Sequence, residues 1–182
     1  MGSILVVCTG NICRSPSAEG LLRRAFDQRL GPGVVTVSSA GTAISWDGRP
    51  ATAEAIQATA ERGVDITGHR ARTLDPRQIA EADLVIAMTR AHVAAVLAAD
   101  PSAAGRTFTV NDLAARTEGS TVGDVIGLVR VAATRPTDRT AAADIPDPYG
   151  EPIDTYREMA ALLDDLSRRL AAAVTPAREA AS

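Results

Sequence analysis

Both cysteines of this chain, Cys8 and Cys13, stand in the stretch ILVVCTGNICRSPSAEG at residues 4–20, with Arg14 and Ser15 directly behind the second. By themselves, two close cysteines allow a disulfide staple, a metal site, a redox pair, a buried small hydrophobe or a nucleophile. The neighbours narrow the choice. A short loop that leaves a strand and enters a helix turns backbone N–H groups inward and forms a nest for an anion. Gly10 and Asn11 are residue types that accept the left-handed backbone of a tight curl. Pro16 suits a first helical turn with Ser15 as its cap, which aims the helix dipole at the loop. Arg14 can hold two oxygens of a tetrahedral oxyanion with its planar fork. Cys8, at the end of the strand, would then lie beneath the anion, where the donors and positive potential favour thiolate over thiol. The Ser15 hydroxyl can add a hydrogen bond to that sulfur. A thiolate below a clamped phosphate is set for in-line attack at phosphorus. The Cys8 to Arg14 spacing alone is weak evidence; Gly10, Asn11, Ser15 and Pro16 around it make the pattern strong.

Such chemistry needs a proton donor for the leaving oxygen, and the same group can later activate water. Three Asp-Pro pairs compete for this role. Asp75-Pro76 precedes RQIAEA and reads as a helix cap with proline at the first helical position. Asp100-Pro101 follows AHVAAVLAA and reads as a helix exit. Asp147-Pro148, in IPDPYG, has no helix starting directly after it, so its carboxylate has no structural employment. Asp147 is therefore the candidate general acid. Tyr149 would line the mouth of the pocket and stack on a phenyl ring.

The elements that would position these groups alternate along the chain. Short apolar, β-branched runs at 4–7, 34–39, 83–88 and 107–110 read as strands. Amphipathic helical patterns occupy 17–30, 51–63, 90–99, 121–133 and 153–174. This alternation predicts a single α/β domain over 1–176: a four-stranded parallel twisted sheet with helices on both faces. The loop after the first strand then falls at the carboxyl end of the sheet, where such folds bind ligands. Residues 177–182 read as a flexible tail. The Gly, Thr, Pro and Ala mixture of 115–146 fits either helix or loop.

Bulk properties remove other classes. A net charge of −3 gives no electrostatic reason to expect nucleic acid or an anionic membrane as partner. All 19 basic residues are arginine, so Schiff-base chemistry on lysine is out. The chain shows neither a secretory signal pattern nor an apolar run long enough to span a bilayer, and two cysteines do not make a secreted disulfide framework. A cytoplasmic protein without membrane insertion is expected.

The stretch VCTGNICRSPSAE resembles the signature of the low-molecular-weight protein tyrosine phosphatases, matching at Cys8, Gly10, Asn11, Cys13, Arg14, Ser15, Pro16 and Glu19. The similarity continues through SSAGT (38–42), GHRARTL (68–74), DLVIAMTRAH (83–92) and IPDPYG (145–150), leaving 115–143 unmatched. The resemblance implies a phosphate-binding loop made of Cys8, Thr9, Gly10, Asn11, Ile12, Cys13, Arg14 and Ser15. It also implies a phosphocysteine intermediate on Cys8, Asp147 as general acid, and no metal or other cofactor. It gives Cys13 a role as reversible disulfide partner of Cys8, beside the alternative that Cys13 merely packs at the helix start. His69 is expected to support the loop together with Asn11 and Ser15. The loop after the second strand is expected to form a pocket wall, with Ile44 and Trp46 as rim candidates. His92 reads as structural, and Arg70 and Arg72 as surface or ion-paired arginines. The implied substrate is a tyrosine-phosphorylated protein, such as a bacterial tyrosine kinase or its product, handled by a monomer. Four rivals remain. Arsenate reductases of this fold use further cysteines, which this chain lacks after Cys13, so only one using an external thiol survives. Protein-arginine phosphatases carry threonine where this chain has Ile12. A phosphoprotein-binding module without turnover, or a sugar-phosphotransferase subunit, would leave Arg14 and Asp147 without a purpose.

Overall fold

In the computed structural model, which describes residues 2–136 and 143–176 (the side chain of Ile44 excepted), four parallel strands form one sheet. They are β1 (Gly2–Cys8), β2 (Val35–Gly41), β3 (Leu84–Ala87) and β4 (Thr107–Thr109), in the spatial order β2-β1-β3-β4. The expected architecture is thus the observed one. The tail at 177–182 and residues 137–142 lie outside the described residues.

Alternation along β1 explains why its run is apolar throughout. Ile4, Val6 and Cys8 face the larger core, while Leu5 and Val7 face a smaller one. The larger core is covered by α1 (Arg14–Leu30), α2 (Ala53–Ala60) and α7 (Ile153–Ala172). The smaller is closed by Ile79 of α3 (Pro76–Glu81) and Val96 of α4 (Arg90–Ala99). Two further helices follow β4: α5 (Val110–Thr117) and α6 (Val125–Thr134). A single turn of 3-10 helix at Ile44–Trp46 and a longer one at Pro101–Arg106 complete the described elements.

Asp75 caps α3, accepting a hydrogen bond from the Arg77 N–H in a reciprocal capping box with Gln78. Asp100 ends α4 and caps the 3-10 turn after it, accepting from the Ser102 N–H. Both thus have the structural employment expected of them. The start of α1 departs from expectation. The helix begins at Arg14, its N-cap is Cys13, and no side chain caps it. Ser15 is not the cap because its hydroxyl is engaged with Cys8 and Asn11. Val110, expected to close the fourth strand, instead opens α5, which Thr109 caps through its side chain.

The unmatched segment is less irregular than its composition suggests. Val125, Leu128 and Ala132 of α6 are buried in the larger core, and Val122 pairs with Val174 beyond α7. At Gly2 a Cβ would lie 2.7 Å from the Val125 side chain. Gly2 opens β1 and Cys8 closes it, so α6 packs at the end of the sheet away from the cysteine loop. Among the described residues no helix is long and apolar enough to cross a membrane.

Candidate active site

The loop between β1 and α1 stands at the carboxyl ends of the central strands, and each of its conformational demands is met by a particular residue. Asn11 adopts φ 53°, the left-handed region, and no other non-glycine does so among the described residues. Gly10 is not in that region; its value is close approach, since a Cβ there would lie 3.2 Å from both Ile12 and Trp46. Gly41, which pairs with Cys8 in the β1–β2 register, is required for the same reason. A Cβ on Gly41 would sit 2.7 Å from the Thr9 carbonyl oxygen and 3.0 Å from the Asn11 nitrogen.

Cys8 Sγ is held by two donors. The Asn11 N–H lies 3.3 Å away and the Ser15 hydroxyl 2.9 Å away. A chain of hydrogen bonds fixes which atom gives the proton. The Arg72 N–H donates to Asn11 Oδ1 at 2.8 Å, which sets the amide orientation. Asn11 Nδ2 then donates to Ser15 Oγ and to Ser39 Oγ, each at 2.8 Å. Ser39 donates its own O–H to the Glu19 carboxylate at 2.6 Å. With its oxygen already accepting, Ser15 directs its O–H at the sulfur, which suits a thiolate. Asn11, Ser15 and Ser39 are all fully buried. His69 supports the same turn from behind: its Nε2–H donates to the Asn11 carbonyl at 2.7 Å. Burial pushes its pKa below the ordinary histidine value, although that hydrogen bond works the other way.

Arg14 is buried, and its guanidinium ties the cysteine loop to the loop at 145–147. It donates to the Ile145 carbonyl at 3.3 Å, to Thr9 Oγ1 at 3.3 Å and to Asp147 Oδ2 at 2.5 Å. Its Nε is buried with no acceptor. The Nε–H is thus left for an oxyanion oxygen, at the N-terminus of a helix that has no side-chain cap. The residues present fit a phosphate.

Asp147 reaches this point on a loop anchored to the β3 end. The Ile145 N–H donates to the Met88 carbonyl at 2.9 Å, and the Arg90 N–H to Asp144 Oδ1 at 2.9 Å. Its second oxygen accepts from the Tyr149 N–H at 3.3 Å. Cys8, Thr9, Gly10, Ile12, Cys13, Arg14, Trp46, Asp147 and Tyr149 line one pocket, so residues from three separate stretches of the sequence converge there. The Trp46 and Tyr149 rings meet edge to face at 5.2 Å, forming an aromatic wall, and the Arg49 guanidinium lies 5.5 Å from the Trp46 ring centre. Trp46 thus takes the rim position; the Ile44 side chain lies outside the described residues.

Cys13 is buried on the same loop, in different company. Its sulfur lies 3.6 Å from Thr52 Oγ1 and 3.8 Å from the Tyr156 hydroxyl, and burial pushes the thiol pKa up. Both sulfurs are free thiols.

Besides Gly41, three participants escaped the sequence reading. Ser39 and Arg72 hold Asn11 from the second strand and the loop before α3. His92, read as structural, is buried with its ring against Thr9 of the loop. The signal for His92 was its place in the first turn after a parallel strand, which in this topology lies beside the loop of the neighbouring strand.

Comparison with known proteins agrees with this arrangement. The model of the family described as low molecular weight phosphotyrosine protein phosphatase matches residues 3–125. A probable low molecular weight protein-tyrosine-phosphatase, EpsP of Ralstonia solanacearum, is 40% identical over 111 residues, covering 61% of this chain and 72% of that one. A protein-arginine-phosphatase of Geobacillus stearothermophilus is 33% identical over 171 residues, 92% of this chain and 95% of that one. Among solved structures, Vibrio vulnificus Wzb in complex with benzylphosphonate superposes with a TM-score of 0.70 at 29% identity, covering 94% of this chain and 97% of its own. With the family model spanning well over half its length, and its cysteine loop, sheet order and pocket in agreement, this chain belongs to the low molecular weight phosphotyrosine protein phosphatase family.

Proposed function

We propose that this protein hydrolyses phosphotyrosine by a two-step displacement on Cys8. The observation that carries the reading is the convergence, in one aromatic-walled pocket, of a sulfur held by two donors, a buried arginine with an unpartnered N–H, and a carboxylate. The phosphate dianion takes the oxyanion position at the α1 N-terminus, with Arg14 Nε and the fork on its oxygens. Its arrival displaces the Asp147 carboxylate from Arg14, freeing it for the leaving oxygen.

In the first step the Cys8 thiolate forms the S–P bond as the P–O bond to the phenol breaks. Asp147, as the carboxylic acid, supplies the proton to that oxygen. In the second step the Asp147 carboxylate takes a proton from water, the water oxygen bonds to phosphorus, and the S–P bond breaks. Phosphate leaves and the thiolate is restored, with Ser15 and the Asn11 N–H offsetting its charge at both stages.

Trp46, Tyr149 and Ile12 favour an aryl ester over a guanidinium group. An aromatic ring stacks against these faces, whereas the one carboxylate among the described pocket-lining residues, Asp147, is committed to the leaving atom and leaves none to pair with the rest of a phosphoarginine guanidinium. The benzylphosphonate held by the similar Wzb is likewise aromatic. The Geobacillus relative keeps phosphoarginine as the second reading, because its similarity runs over nearly the whole chain. Side-by-side turnover of a phosphotyrosine peptide and a phosphoarginine peptide tests the choice. The account expects kcat/KM at least about tenfold higher for phosphotyrosine, and preference for phosphoarginine would overturn it. The physiological partner we infer is a tyrosine-phosphorylated protein of the cytoplasm, a bacterial tyrosine kinase or its product, met by a monomer.

A further inference from the structure

The chain has two histidines, and the loop rests on both. His69 holds the Asn11 carbonyl from the β2 side of the loop. On the β3 side, His92 stands in the first turn of α4 with Nε2 2.9 Å from Thr9 Oγ1 and Nδ1 2.8 Å from Thr89 Oγ1. Thr9 in turn accepts from Arg14 Nη2, the same nitrogen that donates to Asp147.

We propose that His92 is a positioning residue for the oxyanion site, acting through the Thr9 hydroxyl on the Arg14 guanidinium. The inference rests on the reading of this loop as a phosphate site. Thr9 Oγ1 receives the Arg14 N–H on one lone pair, so its own proton must point elsewhere. Assigning the His92 proton to Nδ1 makes Nε2 the acceptor for it, while Nδ1–H donates to Thr89. Thr89 is itself fixed, because its side chain caps α4 and accepts the His92 N–H at 3.2 Å. The result is a rigid strut from the start of α4 to the guanidinium, opposite the strut that His69 makes to Asn11. Burial, followed by the charge of Arg14, pushes the His92 pKa down to about 4, so at neutral pH the ring is uncharged and can accept. A charged ring would donate on both sides and set a second positive group against Arg14.

The geometry separates this role from mere packing. Glutamine can turn its amide oxygen to Thr9 and accept the hydroxyl at about the reach of Nε2, whereas the amide of asparagine reaches only about as far as Nδ1. Thus His92→Gln keeps a polar group at Thr9, while His92→Asn and His92→Leu do not. The experiment measures orthovanadate affinity by calorimetry, with kcat and KM on p-nitrophenyl phosphate, for these variants, Thr9→Val, Thr9→Ser and the Thr9→Val/His92→Asn double variant. Removing the Thr9 contact, by His92→Asn or Leu or by Thr9→Val, is expected to weaken vanadate binding by about tenfold. His92→Gln and Thr9→Ser are expected to stay within about threefold of the parent, and the double variant to be no weaker than Thr9→Val alone. Either His92→Asn or His92→Leu suffices should the other fail to fold. Unchanged vanadate affinity in them, with only a lower Tm, would overturn the proposal, as would losses that multiply in the double variant. An absence of aryl phosphate turnover in the parent protein would instead count against the functional reading. The vanadate comparison would still decide the role of His92.

Discussion

Two thiols on one loop, five residues apart, are placed in opposite chemical settings. Cys8 ends a strand and meets an N–H, a hydroxyl whose proton is directed at it, and the N-terminus of α1. Cys13 packs below Tyr156 and Thr52, where burial and the Asp147 and Cys8 charges hold the thiol protonated. Tyr156, against the same sulfur, has its own pKa pushed up to about 12, chiefly by burial. The difference lies in what each sulfur faces. A short loop supplies donors to its concave side, which is why the proposed mechanism takes Cys8 as the nucleophile and leaves Cys13 to pack.

That contrast can be broken at several points. Cys8→Ser should abolish turnover of aryl phosphates in steady-state assays, while binding of phosphate persists. Asp147→Asn should lower kcat/KM for an aryl phosphate with a basic leaving group by roughly 10²–10⁴-fold, and far less when p-nitrophenolate leaves. Asn11→Ala removes the amide that fixes Ser15 and forces alanine into a left-handed backbone. It should cost about 1–3 kcal/mol of stability by denaturant titration and lower kcat by about tenfold or more.

Acid probes the two struts behind the loop. Both histidines have folded pKa values below the ordinary 6.5, so the unfolded chain binds protons first as pH falls. Their contribution to stability is complete above pH 6.5 and is lost on descending toward the His92 value of about 4. Thermal melts should therefore fall across this window, and His92→Asn should flatten the fall. Cys13→Ala gives the smallest kinetic effect: kcat/KM within about threefold of the parent, with a Tm lower by a few degrees for the buried sulfur removed. A collapse of activity in Cys13→Ala would erase the distinction between the two cysteines.

Much of this was legible in sequence because the decisive signals are local. A cysteine at the end of an apolar run, glycine and asparagine in the curl, and arginine at the helix start are read within one loop. The three Asp-Pro pairs separated cleanly, since Asp75 and Asp100 each have a helical turn to cap and Asp147 has none. What escaped requires the sheet order. Ser39, Arg72 and Gly41 touch the loop only because β2 lies beside β1, and His92 only because β3 lies on its other side. The Ser15 cap was misread for a local reason: its hydroxyl is drawn to Cys8 and Asn11 of its own loop, leaving the helix N-terminus uncapped by any side chain. The segment after α5 was ambiguous because its apolar stripe, Val125, Leu128 and Ala132, is diluted by glycine and threonine at the ends of α6.

The central claim is that Cys8 carries the phosphoryl group. Rapid quenching of Asp147→Asn protein with p-nitrophenyl phosphate, followed by peptide mass spectrometry, tests it most directly. The leaving group departs without a proton there, while water lacks its base, so the intermediate should accumulate. The account predicts a phosphoryl adduct on the peptide bearing Cys8 and localised to that sulfur. An adduct on Cys13, or burst release of p-nitrophenol with no adduct on Cys8, would contradict it.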